Sequence, residues 1–246
     1  MQDLKSVKWD KNMYTEFREL LYTLGESKYK EYNEKVIPNI GENIGIRIPM
    51  LRKIAKKLSQ STEIEKVYNF LEDENTYEEK IIQGMILPHL NYCSSKELFN
   101  NIDLYILRIN NWALCDNFVV SLRNPVKTNK ESFFLRIKKY IRSNNPWEIR
   151  FGIVLLNNYF VDQKYLDDIF LLMDYVKSKE HYVTMAIGWL ISTCYFTNKE
   201  LTLNYIKSEK IELNCINKAL KKILESRKVS KEDKIIIKKL RDKYKK

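Results

Sequence analysis

Glu78–Leu87 (EEKIIQGMIL), Ala113–Leu122 (ALCDNFVVSL), Trp147–Leu156 (WEIRFGIVLL) and Val183–Ser192 (VTMAIGWLIS) are four apolar segments that share one period. Laid over one another they bring Gly84, Phe118, Gly152 and Gly188 into a column, at steps of 34, 34 and 36 residues. An amphipathic stretch precedes the segments, such as Lys96–Leu107 (KELFNNIDLYIL) before the second and Lys130–Ile141 (KESFFLRIKKYI) before the third. That is the length of one helix-turn-helix repeat. Such a pair cannot bury its apolar face alone, so neighbouring pairs stack. The period predicts an all-α solenoid of stacked antiparallel helix pairs whose inner helices form a concave surface.

Local signals agree. Arg47-Ile48-Pro49-Met50 before LRKIAKKL places proline in a helical first turn, with Gly41 and Gly45 as loop residues ahead of it. Ser94 and Ser230 stand before Lys-Glu sequences as N-caps with acidic first turns. No alternating stretch is long enough to demand a sheet, and helical context on both sides decides the short Val-Val and Ile-Ile-Ile runs. With only 6 Gly and 5 Pro and a hydrophobic content of 44%, nothing reads as a linker. One domain over residues 1–246 is expected.

The beginning, MQDLKSVKWDKNMYTEF, lacks an apolar h-region, and no run of eighteen apolar residues occurs. A soluble, cytoplasmic protein with no membrane partner is therefore expected. Cys93, Cys115, Cys194 and Cys215 form no CxxC pair and sit in apolar helical patterns, which predicts reduced, packed thiols. The net charge of +11 points to a polyanionic partner. Residues 218–246 hold 13 Lys or Arg against 4 Asp or Glu, so this tail carries most of the excess. It is either a nonspecific grip on phosphates or a solvated last helix.

Two residues before the Gly/Phe column stand Ile82, Asp116, Arg150 and Ala186, which predicts that Asp116 and Arg150 are neighbours on successive inner helices. Trp112 lies four residues before Asp116, Trp147 three before Arg150, and Trp189 directly after Gly188. Each tryptophan alone is more commonly core, and an Asp–Arg pair can simply tie two repeats together. An aspartate inside WALCDNFVV, however, is costly to bury without a partner or a purpose. His89 and Cys93 have a helical i,i+4 spacing but no second ligand pair, so packing explains them better than a metal. His181 has no Ser or Cys nucleophile recognisably paired with it. Neither GxxxxGK[ST] nor GxGxxG is present, and no cofactor is expected.

At these residues the chain resembles the bacterial DNA alkylation repair proteins of the AlkD type. The resemblance covers most of the chain and rests on four segments in order: NIGIRIPMLRKIAKKL, NNWALCDNF with its Trp-x3-Asp spacing, NPWEIRFGIVLL with Trp-x2-Arg, and MAIGWL. It implies a right-handed solenoid of HEAT-like repeats with a concave DNA-binding face. The activity implied is that of a monofunctional glycosylase, a monomer without cofactor, removing cationic N3- or N7-alkylated purines from double-stranded DNA without flipping the base. Asp116 is then the catalytic carboxylate, Trp112 and Trp189 aromatic walls beside the lesion's sugar, and Arg150 a backbone contact that also holds Asp116 ionised. Trp147 is counted with the DNA contacts. The basic group Arg47, Arg52, Lys53, Lys56 and Lys57 is more commonly a solvated face, and Arg47 alone is picked as a phosphate contact, because a helix entrance adds backbone donors to its charge.

The chain departs from the family pattern at Met185 and at Ile191-Ser192, where basic residues are common. Noncatalytic relatives share the scaffold. A DNA-structure-binding protein without base release, and a protein-binding helical scaffold, therefore stay open as alternatives.

Overall fold

The computed structural model describes residue 4 and residues 6–72 and 76–244. All regular structure among these residues is helical. Residues 1–3 and 5 of the N-terminal stretch, and residues 245 and 246 of the basic tail, lie outside the described residues. The chain divides into two compact units, Met1–Asn129 and Lys130–Lys246.

The first unit contains α1 (Lys11–Thr23), α2 (Ser27–Val36), α3 (Ile48–Leu58), α4 (Ile64–Glu72), α5 (Tyr77–Ile86), a 3-10 turn (Leu87–His89), α6 (Ser95–Ile106), α7 (Trp112–Ser121) and α8 (Arg123–Thr128). Several starts are fixed by side chains that accept otherwise orphaned amides. Asp10 caps α1, Thr76 caps α5, Ser94 caps α6 and Asn111 caps α7. Gly41 and Gly45 have φ of 69° and 91°, as expected of loop glycines ahead of α3. Helix α5 packs against α3, α4 and α7. It is buried on nearly every side, and only Lys80 escapes burial. A helix buried around most of its circumference lies in the centre of a layer, as the first of the four segments does.

The second unit contains α9 (Lys130–Ile141), α10 (Pro146–Tyr159), α11 (Leu166–Asp174), α12 (His181–Thr197), α13 (Lys199–Lys207), α14 (Leu213–Glu225) and α15 (Lys231–Lys243). Helix α10 packs on α9 and α12, and α12 in turn on α13 and α14. Ser230 caps α15 through the Asp233 amide, as the sequence predicts.

The Gly/Phe column marks close approaches between helices. A Cβ on Gly84 would lie 2.5 Å from the Tyr105 hydroxyl of α6, and one on Gly152 would lie 3.2 Å from Tyr140 of α9. On Gly188 it would lie 2.6 Å from Lys218 of α14. Where phenylalanine replaces glycine, the Phe118 ring packs 4.3 Å from that of Tyr105, centroid to centroid. Tyr105 is buried and donates its hydroxyl hydrogen to the Lys80 carbonyl at 2.7 Å, so its ring has nowhere to swing. Gly84→Ala should therefore cost about 1–3 kcal/mol through overpacking. The expected readout is a fall of several degrees in Tm, and an unchanged Tm would show that Tyr105 yields freely.

Cys115, Cys194 and Cys215 are buried, and burial raises the Cys194 thiol to about 12 and the Cys215 thiol to about 11. Cys93 departs from the expectation of packed thiols. It is exposed and precedes the Ser94 cap, where its amide donates to Glu97 at 2.9 Å. The helix carrying the preceding segment has already ended in the 3-10 turn at His89. His89 and Cys93 therefore do not share a helical face.

Candidate functional site

In the first unit the chemistry gathers on α7. The buried Asn111 accepts the Leu114 amide at 3.0 Å and so makes Trp112 the first helical residue. The Trp112 indole N–H donates to the Val36 carbonyl at the end of α2 (3.1 Å), which pins a half-buried ring. Asp116 follows one turn later and is likewise half-buried, while Ala113, Leu114, Cys115, Phe118 and Val119 are buried around it. Val120, a further turn along the same face, is exposed. Trp112, Asp116 and Val120 thus form a stripe along the edge of the apolar helix, with the carboxylate set between hydrophobic groups yet within reach of water.

Arg47 stands at the N-cap position of α3 without a side-chain cap, and its guanidinium is engaged. It makes a bidentate ion pair with Glu26, with Nε–Oε1 and Nη2–Oε2 distances both 2.8 Å, and lies 4.9 Å from the Tyr29 ring centroid. Glu26 is held below the ordinary carboxylate range by its hydrogen bonds from Arg47. The loop that leads into Arg47 is itself fixed by a carboxylate. The amides of Ile44, Gly45 and Ile46, at 2.9, 2.8 and 3.1 Å, all donate to the buried carboxylate of Glu78 from the first turn of α5. Burial raises the Glu78 pKa, outweighing these three bonds. Its neighbour Glu79 is also buried and takes hydrogen bonds from Tyr14 (2.7 Å) and Thr76 (2.5 Å) and an ion pair from Arg18 (3.2 Å).

Arg52 and Lys56 differ from Arg47. They are exposed, four residues apart on α3, and have no carboxylate partner among the described residues. Arg52 makes one long contact, 3.5 Å to the Asn117 side-chain oxygen on α7. The sequence places both in a basic patch but gives no sign that they are unpaired, because pairing depends on residues distant in the chain.

In the second unit Asn145 caps Trp147 (2.9 Å), and both Trp147 and Arg150 reach one residue of α12, Tyr182. The Trp147 ring stacks on that of Tyr182 with centroids 5.5 Å apart, and the buried Arg150 donates to the Tyr182 carbonyl at 2.7 Å. Arg150 therefore orients the first turn of α12 as well as carrying a charge. Tyr182 is absent from the sequence-based candidates; an aromatic at the second position of a helix carries no signal by itself. Trp189, two turns on, is 41% exposed rather than core. Beside it Ile191 and Ser192 are buried, and both Ser192 and Thr193 donate to the Trp189 carbonyl.

Among the described residues no group of three or more His, Cys, Asp or Glu is arranged to hold a metal. No helix among them is long and apolar enough to cross a membrane. No curated protein matches the chain. The family model described as DNA alkylation repair enzyme matches residues 17–224, a span that takes in α7, α10 and α12. The chain therefore belongs to the DNA alkylation repair enzyme family, among enzymes of DNA repair whose partner is DNA.

Proposed function

We propose that the protein is a monofunctional, cofactor-free glycosylase that hydrolyses the N-glycosidic bond of cationic N3- or N7-alkylated purines in double-stranded DNA without base flipping. The observation that carries this reading is Asp116, half-buried in the apolar run of α7 one turn after the pinned Trp112. Alkylation gives the purine a formal positive charge, so the base departs neutral, taking the glycosidic electron pair, and needs no general acid. One carboxylate then suffices. Asp116 stabilises the oxocarbenium-like sugar as the C1′–N bond breaks and receives the proton of the water that bonds to C1′. Indole faces favour the same developing positive charge.

The reading includes one right-handed solenoid of HEAT-like repeats over residues 1–246, monomeric, with a concave face for the duplex. Its support is the period through Ile82, Asp116, Arg150 and Ala186, together with the α3–α5–α7 layer of one unit and the α10–α12–α14 layer of the other. Trp189 and Trp147 are assigned to the DNA-facing aromatics, and Arg150 and Arg47 to backbone contacts. The test is base release from duplex methylated at N7 of guanine and N3 of adenine. Duplex binding without release would instead establish the noncatalytic reading.

Arg47 can reach a phosphate only by leaving Glu26. Glu26→Gln should therefore tighten duplex binding and steepen the dependence of log K on log salt by about one. Titrations between low and moderate salt measure this, and an unchanged slope would remove Arg47 from the interface.

A further inference from the structure

Between α3, α5 and α7 the first unit holds a cleft of about 380 Å³ that the mechanism above does not use. Its volume falls in the range of small-molecule sites, and it combines an apolar floor with a polar rim that includes Ser59 and His89. Ala55, Met85 and Val120 supply the floor. Arg52 and Lys56 stand on its rim, on one face of α3. Across from them are Asn117 and Ser121 of α7. The amide N–H of Asn117 is held by the Ala113 carbonyl, which turns its oxygen toward Arg52, and the Ser121 hydroxyl donates to the Gly84 and Phe118 carbonyls, which leaves its oxygen to accept.

We propose that this cleft binds a nucleoside monophosphate unit, with the base on the Met85–Val120 floor and the phosphate between Arg52 and Lys56. The inference rests on the DNA-directed reading given above and adds a second binding site to it. Two unpaired cations one helical turn apart suit a single phosphate. A phosphate alone, however, leaves the apolar floor wet. A flat base covers it, the Met85 thioether favours an aromatic ring, and the acceptor oxygens of Asn117 and Ser121 suit an exocyclic amine. The unit is either an unstacked nucleotide of DNA or a free nucleotide.

Calorimetric titration of the whole protein with deoxyadenosine 5′-monophosphate, deoxyadenosine and inorganic phosphate tests the proposal. The nucleotide should bind at least about tenfold more tightly than either fragment. Arg52→Ala and Lys56→Ala should each weaken it by a similar factor, Val120→Trp should block it by filling the cleft, and Lys53→Ala, an equal charge loss on the same helix outside the cleft, should change nothing. Equal affinity for phosphate and nucleotide would overturn the proposal, as would equal effects of Lys53→Ala and Lys56→Ala. Displacement of the nucleotide by a duplex with one unpaired adenine assigns the ligand to DNA, and failure to displace assigns it to the free nucleotide. Base release from methylated duplex is measured alongside. A protein that releases base but ignores the nucleotide rejects the cleft alone, and one that binds the nucleotide without releasing base rejects the glycosylase alone.

Discussion

Asp116→Asn should lower release of methylated purines by about 10²–10³-fold, the usual loss when one preorganised group that stabilises transition-state charge is removed. Asparagine keeps the size of the side chain and its capacity to accept a hydrogen bond. It lacks the negative charge that faces a developing oxocarbenium ion and cannot take the proton from water. Asp116 is only half-buried, so the substitution leaves no empty cavity, and Tm should stay within a few degrees. Affinity for undamaged duplex should not fall, because removing a carboxylate from the surface proposed to face DNA also removes repulsion of phosphates. Single-turnover release and duplex binding, measured on the same preparation, separate chemistry from docking. Undiminished release would take Asp116 out of the mechanism, whereas lost release with lost folding would leave only a structural role.

The helices and their starts were legible because their signals are local. Ser94, Ser230 and Pro49 each act within one turn of their own position, and the glycine column records contacts that recur at the repeat length. Facts set by residues far apart in the chain were not legible. Nothing near Arg47 in the chain announces that Glu26, 21 residues earlier, folds back onto its guanidinium. Trp189 lies on a helix apolar around most of its circumference, so hydrophobic period cannot tell which side faces out, and only the structure shows it exposed. The acidic pair Glu78 and Glu79 resembles ordinary first-turn carboxylates favoured by the helix dipole. Yet both are buried, and one closes a loop more than thirty residues away.

That loop gives the largest stability effect. Glu78→Ala should destabilise the protein by about 3–6 kcal/mol, because it leaves three buried N–H donors without an acceptor, at about 1–3 kcal/mol each. Ile44, Gly45 and Ile46 are all buried, so water cannot replace the lost acceptor without opening the loop. For a chain of this length the loss corresponds to a fall of about 10 °C or more in Tm. Glu78→Gln retains one acceptor oxygen but turns an amide toward N–H donors, and should fall between the two. The pH dependence separates this carboxylate from ordinary ones. Its folded pKa is raised, so between its unfolded value and the raised one the native state binds more protons than the unfolded chain. Its contribution is therefore fully present below the unfolded value and declines as pH rises through the folded one, opposite to a salt-bridged carboxylate. Denaturation midpoints taken upward from about pH 4 should fall more steeply, or rise less, in wild type than in Glu78→Gln, since only the wild type titrates there. Parallel curves would show that Glu78 keeps its ordinary pKa. The segment at stake leads directly into Arg47 and α3, so loosening it should disturb the Arg47–Glu26 pair and the placement of Arg52 and Lys56 before it disturbs α7. Hydrogen exchange in Glu78→Gln should accordingly rise first at the amides of Ile44, Gly45 and Ile46, while those of α7 stay protected.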